Sequence, residues 1–551
     1  MQLDNQEHDA VIIGSGAGGG AIAWALSHAG LRVLVLEAGP FYDPANDYKL
    51  HSAQWEDGFP HKKKNSLPPV FTEMQRLKSD FDGIRSWNHI SGYLNNTSHR
   101  ASFGYHRVEG VGGSSLHFTG EAHRLHPESM QMRSRFGVAA DWPVSYAELE
   151  PYYTRAETIV GVAGPAHERT RPRSAPYPQT PHAISYATQI LKKGFDQLAL
   201  SLVENSLAVL SSASADRPAC NYCGCCLKGC PRTDKGSIDV TYIRQAMNTG
   251  RCQVLSGASV KYIESGERDS IKGVHYEYEG TLRFVETRLL IVSGGAVETP
   301  RLLLASESKH SPDGLCNESG EVGKNFMETL LWTSSALYPE PLGSHRGLPV
   351  DAICWDFNAP DAIPGVIGGC RFAPSVAESD LLGPKAYATR VFDGWGLRHK
   401  QKMRQALGSV LSVSGISESL PNSRTFVSLA DEKDAFGMPR ASISSYIDEM
   451  AIRRITFMSA TCRNILKAAG ANEIFEEFSS YDIFSSSHVF GTCRMGLKSD
   501  ESVVNSFCQS FRWKNLYVVD ASVFPSSGGG ESPGLTIQAL ALRAADHILR
   551  S

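Results

Sequence analysis

Five cysteines, Cys220, Cys223, Cys225, Cys226 and Cys230, fall within eleven residues, while the other seven are scattered singly. The run Cys220-x2-Cys223-x2-Cys226-x3-Cys230-Pro231 has the spacing of a ferredoxin loop, where thiolates two residues apart converge on the corners of an iron–sulfur cube. Gly224 and Gly229 let the chain wrap closely. Zinc on the same thiols, or a cysteine-rich loop without metal, are the alternatives. A second chemical element is Gly14-Ser15-Gly16-Ala17-Gly18-Gly19, followed 23 residues after Gly14 by Glu37. Glycines at 14, 16 and 19 allow the backbone to approach a pyrophosphate at a helix N-terminus, and a carboxylate at 37 can accept two ribose hydroxyls. The third is histidine, present 18 times, whose ring, with an ordinary pKa of about 6.5, suits removal of a hydroxyl proton. Taken alone, a histidine is more often structural.

These residues need elements to hold them. Asp9 to Gly14 reads as a strand, Ala17 to Ala29 as a Gly/Ala-rich helix and Leu31 to Leu36 as a second strand, giving a βαβ unit around the glycine turn. Residues 40–105 show no sustained period and read as surface excursions or lids. Glu148 to Glu157 reads as a helix capped by Ser145. Pro165 to Pro181 holds five prolines in seventeen residues and reads as a wrapping loop. After the cysteines come a helix over 238–248 and alternating β runs from Gln253 to Val292. Residues 310–480 form a less patterned lobe, with a β-prone stretch at 388–392 and a helix over 449–469. The chain returns to a strand over 516–520, a glycine-rich loop over 526–530 and a helix over 535–548.

Length and composition set the outer limits. A chain of 551 residues with 42% apolar and 20% charged residues is a large globular enzyme with more than one lobe. Net charge is only −4, and no basic block exceeds Lys62-Lys63-Lys64, so nucleic acid is excluded as a partner. No transmembrane run of apolar residues occurs. The polar opening Met1 to His8 leads straight into a strand, leaving no signal peptide, so the sequence predicts a cytoplasmic protein.

Further segments carry a resemblance. Arg107-Val108-Glu109-Gly110-Val111-Gly112-Gly113-Ser114-Ser115 and the run from Gly294 to Ser306 resemble the two signature segments of the glucose-methanol-choline (GMC) oxidoreductases. His488 to Gly496 and Val519 to Pro525 are similar to that family's C-terminal pattern. The resemblance implies an α/β fold: a discontinuous Rossmann-like FAD-binding domain (1–45, 85–310 and 485–551, including the cysteine loop 220–230) and a substrate domain with an antiparallel sheet and lid segments (46–84 and 311–484). It implies FAD as cofactor, Gly112, Gly113, Ser114 and Ser115 near the flavin, Asp520 near the cofactor's chain, and His488 as the base for hydride transfer from an alcohol carbon to flavin N5.

The usual partner of that histidine, a His or Asn, is replaced by Ser532, with Glu531 beside it. Either side chain can supply the missing polar group. Ser115-Leu116-His117-Phe118-Thr119 resembles the segment of pyranose oxidases whose histidine is bonded to flavin. With Phe118 in place of tryptophan, His117 reads as a non-covalent neighbour of the flavin.

In similar sugar dehydrogenases a [3Fe–4S] cluster in a matching loop passes electrons onward, which implies Cys220, Cys223, Cys226 and Cys230 as ligand positions. The expected substrate is a sugar, glycoside or polyol. Relatives of this pattern work with a small chaperone-like subunit and a cytochrome or quinone acceptor, and a signal-bearing partner can carry such a subunit to the periplasm. Two other readings stand beside this one: an oxygen-using alcohol or sterol oxidase with a structural cysteine loop, and a flavin-bearing electron-transfer subunit without its own substrate.

Overall fold

The computed structural model describes residues 7–48, 70–74, 101–105, 107–166, 168, 170–375, 390–392 and 394–551. Lys62–Lys64, most of the expected excursion over 40–105 and the start of the β-prone stretch at 388 lie outside these residues.

In chain order, the elements that position the site begin with β1 (Ala10–Ile13), α1 (Ala17–His28) and β2 (Val33–Glu37). Next come α2 (Tyr146–Val160), α3 (Tyr186–Gln197) and β3 (Cys252–Ser256). A meander of β4 (Ser259–Ser265), β5 (Ile271–Tyr278) and β6 (Thr281–Glu286) leads to β7 (Leu290–Val292) and α4 (Gly295–Ala305). Then follow β8 (Leu330–Leu337), β9 (Cys370–Pro374), α5 (Gly396–Ala406), β10 (Val410–Ser417), α6 (Glu449–Ala468) and β11 (Glu473–Ser479). β12 (Leu516–Val518) and α7 (Gly534–Ile548) finish the chain.

Five strands form a parallel sheet in the order β12-β7-β1-β2-β3. Four of the strands are buried throughout, as parallel strands covered on both faces require, while the edge strand β3 is half-buried at three of its five residues. Helices α1 and α7 pack together against this sheet. The glycines of the first turn are fixed by neighbours: a Cβ at Gly14 would run into the Ser293 carbonyl, and one at Gly19 into the Gly14 carbonyl. Ser145 caps α2 with a full capping box, its hydroxyl and Glu148 each satisfying a backbone amide.

The less patterned lobe is a four-stranded antiparallel sheet, order β9-β10-β8-β11, with α6 across one face. Ser412 and Ser414 of β10 pair by hydroxyl with Ser335 and Thr333 of β8, each at 2.8 Å, and these hydroxyls mask the strand signal in a hydropathy reading. Helix α3, to which the sequence analysis assigned no element, is capped by Ser185 and packs Ile190, Leu191 and Phe195 into this lobe's core. The helix expected over 238–248 is present, but its first part, Asp239–Ile243, is wound as a π-helix. That turn rests on the Gly112 loop, where Ile238 N donates to Ser115 Oγ at 2.9 Å.

Candidate active site

The dinucleotide end is assembled around Ser15. Glu37, at the end of β2, accepts from Ser15 N at 3.0 Å and Ser15 Oγ at 2.7 Å through Oε2, and from Gly39 N at 2.8 Å through Oε1. Ser15 Oγ in turn accepts from Gly112 N at 3.1 Å. Burial pushes the Glu37 carboxyl above its ordinary range, against the hydrogen bonds from Gly39 and Ser15. Gly112 has φ +107 and opens a single 3-10 turn over Gly113–Leu116, in which Ser115 Oγ donates to Gly112 O at 2.7 Å. Ser114 is exposed on this turn and His117 closes it half-buried, its amide donating to Ser114 O at 3.1 Å. Gly16 caps α1 without any side-chain hydrogen bond, and a Cβ placed on it would meet nothing within 4 Å.

An uncapped helix N-terminus facing open space, with a carboxylate at the end of the second strand, fits a dinucleotide pyrophosphate and ribose. The residues present therefore fit FAD. Asp520 sits one strand away and accepts from Gly295 N (2.9 Å), Thr299 Oγ1 (2.6 Å) and Ser522 N (2.8 Å), which fastens β12 to the start of α4. The two signature segments are joined by Arg107 and Glu298 at 3.2 Å.

The chemical end is a buried polar network. His488 lies just before the short strand Val489–Phe490, and its carbonyl accepts from Thr329 N at 3.0 Å. Burial lowers its ring pKa to about 4, with the Glu121 charge opposing and the Arg371 charge assisting. Those two groups form a buried ion pair, Arg371 Nη2 to Glu121 Oε2 at 2.8 Å, and Arg371 Nε donates to Gly530 O at 2.6 Å. Asn205 Nδ2 donates to the other Glu121 oxygen at 3.1 Å. Ser532 N donates to His123 Nδ1 at 3.1 Å, so the His123 proton is on Nε2, which faces Asn205 Oδ1 at 2.9 Å. Burial, then Arg371, keeps His123 neutral well below its ordinary pKa.

Glu531 turns away from this chain of bonds. Its Oε1 accepts from Arg171 Nη2 at 2.9 Å and from His126 N at 3.0 Å. Burial would raise its carboxyl, but Arg171 outweighs that and holds it below the ordinary range. The Arg171 guanidinium also lies 4.0 Å over the Trp355 ring. The structure thus brings His488 and the Gly530–Ser532 loop together at Arg371, and fixes Ser532 through its backbone and Glu531 through its side chain.

The cysteine loop adjoins the His117 segment through Lys235. This fully buried ammonium donates to Leu116 O (2.9 Å), Phe118 O (3.1 Å) and Cys226 O (2.6 Å), three acceptors for three donors. Desolvation lowers its pKa. The thiols have other engagements: Cys220 Sγ accepts from Tyr222 N at 3.3 Å, Cys225 Sγ donates to Cys223 O at 3.4 Å and Cys230 Sγ donates to Asp234 Oδ1 at 3.1 Å. Among the described residues no three His, Cys, Asp or Glu side chains converge as a metal-ligand set. As placed, Cys220, Cys223, Cys226 and Cys230 do not fit a cluster.

Glu121, His123, Asn205, Arg171, Arg371 and Lys235 were not legible as site residues. Only Glu121-Ala122-His123 offered a signal, two polar groups on one face of an extended segment.

A parallel dinucleotide sheet joined to an antiparallel lobe, with a half-buried histidine between them, is the architecture of a flavin-dependent oxidoreductase. Residues 91–330 and 421–541 match the GMC oxidoreductase family, and residues 12–42 match an NAD(P)-binding Rossmann-like domain. The chain belongs to the GMC oxidoreductases and is an enzyme acting on CH–OH groups.

It is 27% identical to the 2-methyl-1,2-propanediol dehydrogenase of Mycolicibacterium austroafricanum, over 100% of this chain and 96% of that one. It is 26% identical to the fructose dehydrogenase large subunit of Gluconobacter japonicus, over 100% and 99%. Among solved structures, a formate oxidase superposes with TM-score 0.66 at 15% identity, covering 100% of this chain and 99% of that one. Pyridoxine 4-oxidase from Mesorbium loti superposes with TM-score 0.63 at 18% identity, covering 99% and 100%. At that identity these two show the fold alone. Among the described residues no helix is long and apolar enough to cross a membrane.

Proposed function

We propose that the protein is a dehydrogenase of a sugar, glycoside or polyol hydroxyl, with His488 as its base. The observation that carries this reading is the half-buried His488, its ring pKa lowered to about 4, beside the Glu121–Arg371 pair and the Gly530–Ser532 loop. Bound FAD supplies the hydride acceptor at N5. Gly14, Gly16, Gly19 and Glu37 hold its pyrophosphate and adenosine half, while Gly112, Gly113, Ser115 and His117 line its flavin side.

His488 takes the substrate hydroxyl proton onto its ring as the C–H bond opens, because at neutral pH the ring carries no proton on its basic nitrogen. The nearby Glu121 carboxylate offsets the charge that forms, and Arg371 prevents that charge from persisting. Ser532 Oγ is the group that hydrogen-bonds the substrate oxygen, since Glu531 is spent on Arg171 and His126. Similarity to proteins named as a diol dehydrogenase and a fructose dehydrogenase large subunit supports the substrate class.

Onward transfer of electrons to a partner rests on the family resemblance; in the structure Lys235 fastens the cysteine loop to the peptide carrying His117. By the same resemblance, a small subunit and a cytochrome or quinone acceptor would take the electrons, and a signal-bearing partner would carry the complex to the periplasm. The separate engagements of the thiols favour one second reading, an oxygen-using alcohol oxidase with a structural cysteine loop. Anaerobic flavin bleaching by a panel of sugars and alcohols tests the first statement; bleaching that survives His488→Ala unslowed removes the mechanism. Iron and acid-labile sulfide in the purified protein decide between the two readings.

A further inference from the structure

Helix α5 stands at one end of the antiparallel sheet. Its inner face is fixed there by Met403 and Ala406, which pack with Val391, Val410 and Phe475. The outer face is unusual. Trp395, immediately before the helix, is 91% exposed and Leu397 is 74% exposed. A single exposed leucine is ordinary, but an indole standing almost wholly in solvent beside it gives up a large apolar area. Trp395 lies between Gly394 and Gly396, with φ +121 and +82, so the backbone on each side is in a conformation that only glycine adopts without strain. The chain is built to hold this side chain outward.

The charge around it is of one sign. Arg398, Lys400, Lys402 and Arg404 follow, and no Asp or Glu occurs from Gly394 to Ser409, in a chain whose net charge is −4. Leu397, Lys400 and Arg404 fall on one side of the helix by their spacing, while Arg398 and Lys402 lie together on an adjacent side, Lys402 with its ammonium 5.9 Å from the Phe392 ring centroid. The feature is a tip of two apolar side chains bordered by cations.

We propose that Trp395 and Leu397 insert into the headgroup region of an anionic lipid surface, with the four cations of α5 lying on its phosphates. A plane of negative charge matches cations spread over the exposed sides of a helix, and the headgroup region accepts an indole with its polar edge wet. A protein partner fits less well, because two projecting side chains are far from the roughly 800 Å² per side of a stable interface. The proposal is independent of the substrate and of the cysteine loop.

The test is sedimentation of the full-length, FAD-loaded enzyme with vesicles of phosphatidylcholine alone or mixed with phosphatidylglycerol, at low and high salt. The wild type is expected to sediment with the mixed vesicles only, and less so at high salt. Lys400→Glu with Arg404→Glu, and separately Trp395→Ser with Leu397→Ser, should each weaken that partition by about tenfold or more, since each lipid-facing cation contributes about fivefold. Dye-linked activity in solution should be unchanged in both variants, which shows them folded. Equal sedimentation on neutral vesicles, or variants that partition like the wild type, would overturn the proposal. So would capture of the wild type on polyglutamate beads without any vesicle binding.

Discussion

The guanidinium of Arg371 meets the carboxylate of Glu121 at 2.8 Å across 250 positions of sequence, and both side chains are buried. One comes from the antiparallel lobe and the other from the segment after the flavin-side turn. Removing one partner leaves a buried charge uncompensated. Arg371→Met should therefore cost about 3–5 kcal/mol of unfolding free energy, and adding Glu121→Gln should recover more than half of it. Urea unfolding of the two single variants and the double variant measures this, and strictly additive losses would show that the pair is not coupled.

Cofactor retention separates Gly16 from Glu37. Because a Cβ at Gly16 meets nothing within 4 Å and its φ is −71, Gly16→Val should fold normally but occupy the space for the pyrophosphate. Flavin content should drop while apoprotein stability stays within about 0.5 kcal/mol. Glu37→Ala should lower both, since that carboxylate also holds Ser15 and Gly39. Full flavin occupancy in both variants would contradict the assignment of this end.

The rate of anaerobic flavin reduction distinguishes the three residues at the chemical end. His488→Ala should slow it by about 10²–10⁴. Ser532→Ala should slow it by at least about tenfold, roughly 1.4 kcal/mol of transition-state stabilisation. Glu531→Gln should instead lower stability by about 3 kcal/mol, because it strands Arg171, with a smaller change in rate among molecules that remain folded. A large rate loss at Glu531 with unchanged stability would reverse those roles.

Acid should act through His488. In the unfolded chain its ring binds a proton below about 6.5, whereas in the folded protein burial delays this until about 4. The unfolded state therefore binds more protons between these values, and stability falls as pH falls through that window. Relative to His488→Gln, the wild type should lose up to about 1.4 kcal/mol per pH unit there. Parallel stability curves for the two proteins from pH 7 to 4 would show that the ring is not buried uncharged.

Lys235→Met removes the common donor of Leu116, Phe118 and Cys226. Three buried carbonyls then lack a partner, at about 1–3 kcal/mol each before relaxation. Hydrogen exchange should quicken in residues 220–230 and 114–118 together. Acceleration in only one of the two segments would mean that the lysine does not couple them.

The glycine turn, Glu37, the Ser145 cap and the last strand and helix were readable because each is a local pattern whose partners lie within a few turns of chain. Ser532 was readable as a departure from a motif. Arg371 was not, since an arginine in a five-residue strand gives no sign that its side chain runs inward to a carboxylate 250 positions earlier. Lys235 reads like any lysine after a cysteine loop until its three carbonyl partners are seen. The cysteine spacing was the sharpest pattern in the sequence, yet spacing fixes which thiols can meet, not where Asp234 and the Tyr222 amide direct them.

The parallel sheet has a consequence for the order of events in the cell. Its edge strand β12 joins β7 only after a long excursion; Ser293 Oγ and Val519 O, which meet at 3.1 Å beside it, are 226 positions apart. At the usual 5–20 residues per second, a ribosome needs about 10 to 45 s to make that interval. Throughout that time the nascent chain has its glycine turn and Glu37 but lacks Asp520 and Ser532, and for most of it His488 as well. The cofactor can settle fully only on a finished polypeptide, so a prematurely stopped product is an empty shell and not a slow enzyme.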